Sequence, residues 1–293
     1  MLKRLASRWR DFLLRPLQLQ SPRPDPAIEI ALSLSYAALA RHGEPLPGFD
    51  NVGFSVYSQN EEDGILLYIF ALIGATNRRC VEIGTGQGIE CNTANLIINH
   101  RWTGLLVDCD AAAVAHGREF YRTNRSTRDW PAVLVSAHVT RGNVNGILRD
   151  NGFAGEIDLL SIDVDGMDYW IWDALDVISP RVVVIEFNDI LGPDRSVTVP
   201  YKDDFSAYDY PTSGGLPNYA GASLAALVKL ARRKGYRFVG ATSSAVNAFF
   251  VKDGLGQKEL PEARVADCFS HPKPVHGMRE RFPTVAHLPW QEV

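Results

Sequence analysis

The segment Cys80-Val-Glu-Ile-Gly-Thr-Gly-Gln-Gly88 runs an apolar stretch into a turn of three glycines, with an acid two residues before the first. It reads as a strand that delivers a nucleotide-type cofactor to a glycine turn. Gly84, Gly86 and Gly88 are spaced G-x-G-x-G, and Ile89 occupies the place where a dinucleotide fingerprint wants its third glycine. That departure counts against a nicotinamide dinucleotide. Glu82 is expected beside the turn, where a carboxylate suits a ligand carrying an ammonium group and a sulfonium. Asp108 ends a second apolar run, Trp102-Thr-Gly-Leu-Leu-Val-Asp108. In a doubly wound fold an acid there accepts hydrogen bonds from cofactor ribose hydroxyls. Its other reading is a cap for the helix beginning near Ala111.

A second group of chemistry-bearing residues lies further on. Asp163, Asp165, Asp168, Glu186, Asn188 and Asp189 fall at the carboxyl ends of the fourth and fifth predicted strands, the edge where open α/β sheets bind ligands. So acidic a group calls for a cation. The sulfonium and ammonium of S-adenosylmethionine would supply one, with Asp163 on the ligand's amino group. A divalent ion such as Mg²⁺ on Asp165, Glu186 and Asn188 is the alternative, since carboxylate and amide oxygens are hard ligands. Asp163, Asp165 and His138 are the candidate proton acceptors. His138 follows the third strand, and its other reading is a loop cap or a wall of the adenine pocket. His271, His276 and His287 show no metal-ligand spacing.

These residues need a sheet to hold them. Helix-like and strand-like segments alternate from Ser58 onward: strands over 80–83, 104–108, 130–135, 157–163 and 181–187, with helices over 92–100, 111–121, 144–151 and 170–177 between them. Such alternation predicts a doubly wound α/β fold with a mostly parallel, seven-stranded sheet. Ser58-Gln-Asn-Glu61 matches a capping box ahead of the first of these helices. After a helix over 222–234, the runs 236–240 and 247–251 are too close for a crossover helix, which predicts a C-terminal antiparallel hairpin.

A parallel sheet closed by one reversed strand resembles the class I S-adenosylmethionine-dependent methyltransferases, over about residues 54–252. Within that class the chain is most similar to the FkbM-type enzymes. The residues that carry this are Ser58-Gln-Asn-Glu-Glu-Asp63, Glu82 to Gly88, and Asp158-Leu-Leu-Ser-Ile-Asp-Val-Asp-Gly-Met-Asp168 with Tyr169-Trp-Ile-Trp172. The resemblance implies O-methylation of a sugar, a glycan precursor or a small natural product. Two positions depart from the family: Ile89-Glu-Cys-Asn-Thr93 follows the turn with altered spacing, and Asp168 stands where relatives often have Glu. A nicotinamide-dependent oxidoreductase or epimerase, and a non-catalytic protein that keeps the cofactor fold, are the competing classes.

The rest of the chain sets the surroundings. With 293 residues, 46% hydrophobic content and a formal net charge of −4, it can bury a full core and shows no nucleic-acid signature. Cys80, Cys91, Cys109 and Cys268 have no C-x-x-C spacing and suit reduced thiols in the cytoplasm. Residues 1–48 comprise a basic amphipathic helix, a proline linker and a short helix over 27–41. The basic helix suits an anionic membrane surface, its own domain or a second subunit. Residues 49–252 form the expected catalytic domain, whose Tyr- and Asp-rich insert over 192–220 would select the substrate. Residues 253–293 read as an irregular arm that closes the site or joins a homo-oligomer.

Overall fold

The computed structural model describes residues 25–293. The basic amphipathic segment and most of the proline linker lie outside them. Seven strands form one sheet: β1 (Arg79–Ile83), β2 (Thr103–Asp108), β3 (Val133–Ser136), β4 (Gly155–Ile162), β5 (Ile178–Glu186), β6 (Tyr236–Ala241) and β7 (Asn247–Lys252). Their order is β3-β2-β1-β4-β5-β7-β6. β1 to β5 are parallel, and β7 runs antiparallel to both β5 and β6. The doubly wound fold with its C-terminal hairpin is therefore present. The winding reverses between β1 and β4, which opens a crevice at the carboxyl ends of those strands.

Eight helices accompany the sheet among the described residues: α1 (Pro26–His42), α2 (Glu62–Ile73), α3 (Ala94–His100), α4 (Ala111–Thr123), α5 (Val144–Asp150), α6 (Asp168–Ala174), α7 (Leu224–Arg233) and α8 (Pro272–His276). Alternate strand residues face opposite sides. Val81, Ile83, Leu105 and Val107 join Leu148, Ile171 and Leu227 in one core, while Cys80, Leu106, Leu159 and Val182 join Ile65, Ile69 and Ile97 in the other. Both faces are covered, so the central strands are mostly apolar, with Glu82, Asp158 and Ser161 among their buried polar residues.

The capping box is not formed as its spacing predicts. α2 begins at Glu62, and Asp63 makes the reciprocal contacts instead. Its Oδ2 accepts from the backbone N–H groups of Val56, Tyr57 and Ser58 at 2.7, 2.7 and 2.8 Å, and the Ser58 Oγ accepts from the Asp63 N–H at 3.2 Å. Glu61 is freed to accept from the Ser243 N–H and hydroxyl, both at 2.7 Å. This pins the Gln59-Asn60 loop to the turn that joins β6 and β7.

The insert is more ordered than an aperiodic loop. It holds a short strand at Val197–Thr198, a 3₁₀ turn at Ala207–Asp209 and a hairpin of Thr212–Ser213 with Leu216–Pro217. The chain's end, Gln291–Glu292, pairs antiparallel with Val197–Thr198. Ring contacts link Tyr210 to Tyr219 and Tyr219 to Trp290, with centroids 4.6 and 4.7 Å apart. The C-terminal arm therefore clasps the insert.

Candidate active site

A cleft of about 760 Å³ opens at the carboxyl ends of β1, β2, β4 and β5 and is walled by the insert and the arm. Its inner corner is the glycine turn. Gly84 has φ +88°, and a Cβ there would fall 1.5 Å from the Asp163 carbonyl oxygen, so the turn lies directly against the end of β4. Gly86, at φ +54°, faces open space in the cleft and donates its N–H to Asp108 Oδ2 at 2.6 Å. Asp108 Oδ1 accepts from the Asp110 N–H at 2.8 Å. Asp108 thus orients the turn and still lines the cleft.

Gly88 belongs elsewhere. A Cβ on it would meet Leu106 Cδ1 at 2.7 Å, and the residue packs on the sheet outside the cleft. Of the three glycines predicted to bind a cofactor, only Gly84 and Gly86 line the cleft.

Glu82 is also corrected. Strand alternation turns its side chain toward the α3 face, away from the cleft, and it is 2% exposed. Its Oε2 accepts from the Thr93 N–H at 2.8 Å and the Thr93 hydroxyl at 2.6 Å, and its Oε1 from the Asn92 N–H at 3.0 Å. These N–H groups start α3, where no intrahelical acceptor exists. Glu82 therefore fixes the entry to α3 and lies outside the cleft lining. Glu82→Ala would leave buried donors unpaired, and the folded state should lose about 2–4 kcal/mol, read as a lower urea midpoint. A variant as stable as wild type would show that water replaces the carboxylate.

The acids gather as expected, with a changed membership. Asp163, Asp165 and Glu186 each offer a carboxylate oxygen, and the three oxygens lie within 4.8 Å of one another. Asp163 and Glu186 lie close enough to share a hydrogen bond once one of them is protonated. Burial, then the charges of Asp168 and Asp165, push Asp163 up to about 8. Burial and Asp163 hold Glu186 well above the usual carboxylate range. Two carboxyl groups so placed share a proton until a cation arrives. Asp165 opens to the cleft, whose walls desolvate its carboxyl and, with the Asp108 charge, raise its pKa.

Asp168 shapes the loop and takes no part in the trio. It is fully buried and accepts from the N–H groups of Val164 and Gly166 at 2.9 and 3.1 Å. That tight loop gives Asp165 its left-handed backbone, φ +55°.

Asn188, predicted as a metal ligand, is committed to the backbone. Its Oδ1 accepts from the Ile190 N–H at 3.2 Å, and its amide donates to the carbonyls of Asn218 and Ala220 at 3.1 and 2.9 Å. An amide at the end of β5 is needed to tie the insert down. Asp189 faces Arg281 Nη1 at 3.4 Å and Lys273 Nζ at 3.8 Å, both from the arm. His138 lines the cleft, with Nε2 2.6 Å from the Asp203 carbonyl oxygen. A carbonyl only accepts, so Nε2 carries the hydrogen, and Nδ1 alone is left for acid–base work.

Sequence reasoning missed Gln59, Asn60, Lys273 and Arg281 as cleft residues, whereas Tyr208 and Leu216 belong to the insert expected to select the substrate. Only the buried Asp189 signalled any of them, since a buried acid in a packed loop calls for a cationic partner.

No family model matches the chain, and no curated protein matches it. Solved structures do. TnmH is 15% identical over 84% of this chain, with a TM-score of 0.39, and the chain spans 61% of TnmH. An O-methyltransferase family protein from Burkholderia thailandensis is 13% identical, with 85% of this chain and 70% of that one covered and a TM-score of 0.43. The O-methyltransferase TomG from Streptomyces achromogenes, solved in complex with SAM, is 16% identical, with 75% and 89% covered and a TM-score of 0.37.

Proposed function

We propose that this chain is an S-adenosylmethionine-dependent O-methyltransferase, of FkbM-like type, acting on a hydroxyl of a small natural product or of a sugar or glycan precursor. One observation carries the reading: the trio of Asp163, Asp165 and Glu186 sits against the Gly84 turn, with Asp108 at the next strand end. Burial and neighbouring carboxylates raise all three acids, Asp108 acting on Asp165, and no cationic side chain enters as a cause of their shifts. A ligand bringing an ammonium and a sulfonium fits that charge. A nicotinamide dinucleotide, whose phosphates are anionic, does not.

Bound there, S-adenosylmethionine supplies an electrophilic methyl carbon, whose bond to sulfur breaks as the acceptor oxygen bonds to it, the electron pair going to sulfur. The chain's own residues do the rest. Asp108 offers its carboxylate to the ribose hydroxyls, and the Gly84–Gly86 backbone leaves room beside it. The acceptor must lose its hydroxyl proton, and a carboxylate of the trio takes it. Much of the acceleration comes from holding the acceptor in line.

A divalent ion is the second reading. Asp163, Asp165 and Glu186 would hold Mg²⁺ with hard oxygen ligands, and the ion would lower the acceptor's pKa. The commitment of Asn188 to the backbone removes the neutral oxygen from the predicted set, and the proton that Asp163 and Glu186 share occupies the trio. Both favour the metal-free route.

Calorimetry with S-adenosylmethionine and NADH in parallel tests the cofactor. Wild type should bind the first only. Asp108→Ala should weaken that binding about ten- to a hundredfold, the value of one or two charge-assisted hydrogen bonds. Tight NADH binding with no response to S-adenosylmethionine would end the reading.

A further inference from the structure

Most aromatic side chains of the insert lean on other rings. Phe205 stacks on Tyr210, Tyr210 and Tyr219 meet, Tyr219 meets Trp290, and Tyr201 meets Trp170. Tyr208 differs. It is 58% exposed, opens into the cleft, and makes no ring contact or hydrogen bond among the described residues. Leu216 is 53% exposed and opens into the same cleft. A lone exposed apolar residue on a surface means nothing, but two on the wall of one cleft form apolar surface that a ligand can cover.

Both are mounted firmly. Ala207, next to Tyr208, is buried, and Asn218, just past Leu216, is fully buried and held by Arg281, Ser213 and Thr284. Bare apolar surface on a fixed mount is preorganised for binding. The phenol of Tyr208 also lies within the field of Asp165, Glu186 and Asp163, which raises its pKa. Tyr208 and the trio therefore line one cleft, which a ring resting on Tyr208 would share with the carboxylates.

The chemistry of that ring follows from what the wall lacks. Arg281 spends its donors on Asn218 Oδ1, the Pro217 carbonyl and Asp189. Lys273 donates to the Ser244 carbonyl, and Asn188 to the insert backbone. These three polar side chains are therefore already engaged, and the acid trio disfavours an anionic ring.

We propose, on the methyltransferase reading above, that Tyr208 and Leu216 form the acceptor wall for a flat, uncharged aromatic ring carrying a hydroxyl, and that the chain methylates a phenolic oxygen. The phenol's proton passes to a trio carboxylate, and its oxygen takes the methyl group.

Full-length protein saturated with S-adenosylhomocysteine should be titrated with 2-naphthol and with methyl glucoside, following naphthol fluorescence and heat of binding. Naphthol should bind and the glucoside should not. Tyr208→Ala and Leu216→Ala should each weaken naphthol binding about tenfold, the scale of one lost aromatic or apolar contact. Tyr208→Phe should keep it, and all three variants should keep wild-type affinity for S-adenosylmethionine. Glucoside binding in place of naphthol, or alanine variants that bind naphthol like wild type, would overturn the proposal. Failure of the cofactor reading shows separately, as absent S-adenosylmethionine binding by wild type. Naphthol titration of the ligand-free protein then still reports whether this wall holds a flat ring.

Discussion

Gly84→Ala should abolish measurable cofactor binding and destabilise the fold by about 2–5 kcal/mol, the sum of a left-handed backbone forced on an L-residue and a core overpacked by one carbon. The position cannot yield locally. Its φ of +88° is unfavourable for alanine, and the new methyl would lie 1.5 Å from the Asp163 carbonyl oxygen. That oxygen belongs to a fixed junction, since Asp163 donates its own N–H to the Ile83 carbonyl at 2.9 Å and Gly84 donates to the Val107 carbonyl at 2.8 Å. Relieving the clash means pulling the glycine turn off the ends of β2 and β4. The trio and Asp108 would then no longer flank one space. Gly86→Ala is the contrast. Its methyl would meet nothing within 4 Å, so only the backbone term remains, about 1–2 kcal/mol, and the junction should survive. Urea unfolding and calorimetry on both variants check this, and an alanine at Gly84 that binds like wild type would place the cofactor away from the turn.

The sheet was legible because its signals are local and periodic. Five apolar runs separated by helical runs, then two strands too close for a crossover, allow little besides a hairpin-closed parallel sheet. The acid trio was legible for a related reason: residues ending neighbouring parallel strands must meet at one edge. Side-chain direction was harder. Glu82 and Ile83 adjoin in sequence, yet strand alternation puts the glutamate under α3 and leaves Ile83 at the cleft. Gly88 reads like Gly86 until Leu106 is seen beneath it. Asn188 looked like a ligand because it forms, with Glu186, an acid and amide pair at the end of β5, but a residue two along that leaves the strand serves the insert's backbone instead. Lys273 and Arg281 reach the cleft through an arm with no periodicity. Contacts of that kind are set by tertiary packing, to which local spacing gives no access.

Binding of S-adenosylmethionine should tighten by up to about tenfold per pH unit from about pH 6 to about pH 7.5, with release of close to one proton. The cause is the pair of Asp163 and Glu186. Asp163 has its pKa raised from 3.8 to about 8 in the folded chain, and burial and Asp163 raise Glu186 in the same direction. Raised carboxyl groups stabilise the fold below their ordinary pKa, and that contribution is lost as pH rises through about 8. The ligand-free chain should therefore lose stability on going from pH 5 to pH 8, to the extent that this pair governs the balance. A cationic ligand reverses the preference, since it selects the ionised pair. Below about 8 the pair must first give up its proton, so apparent affinity falls as the solution is acidified. The window stops short of the range where the ligand's own α-amino group loses its proton. Asp163→Asn should weaken binding and flatten the pH dependence, because the amide neither shares a proton nor attracts the ammonium. Calorimetry in two buffers of different ionisation enthalpy counts the proton directly. The same pair decides the route of catalysis. If a carboxylate of the trio takes the acceptor's proton, turnover should survive EDTA and should rise with the same ionisation that governs binding. Turnover that vanishes on chelation and returns with Mg²⁺, while cofactor binding stays intact, would assign the trio to a metal and the acceptor's activation to that ion.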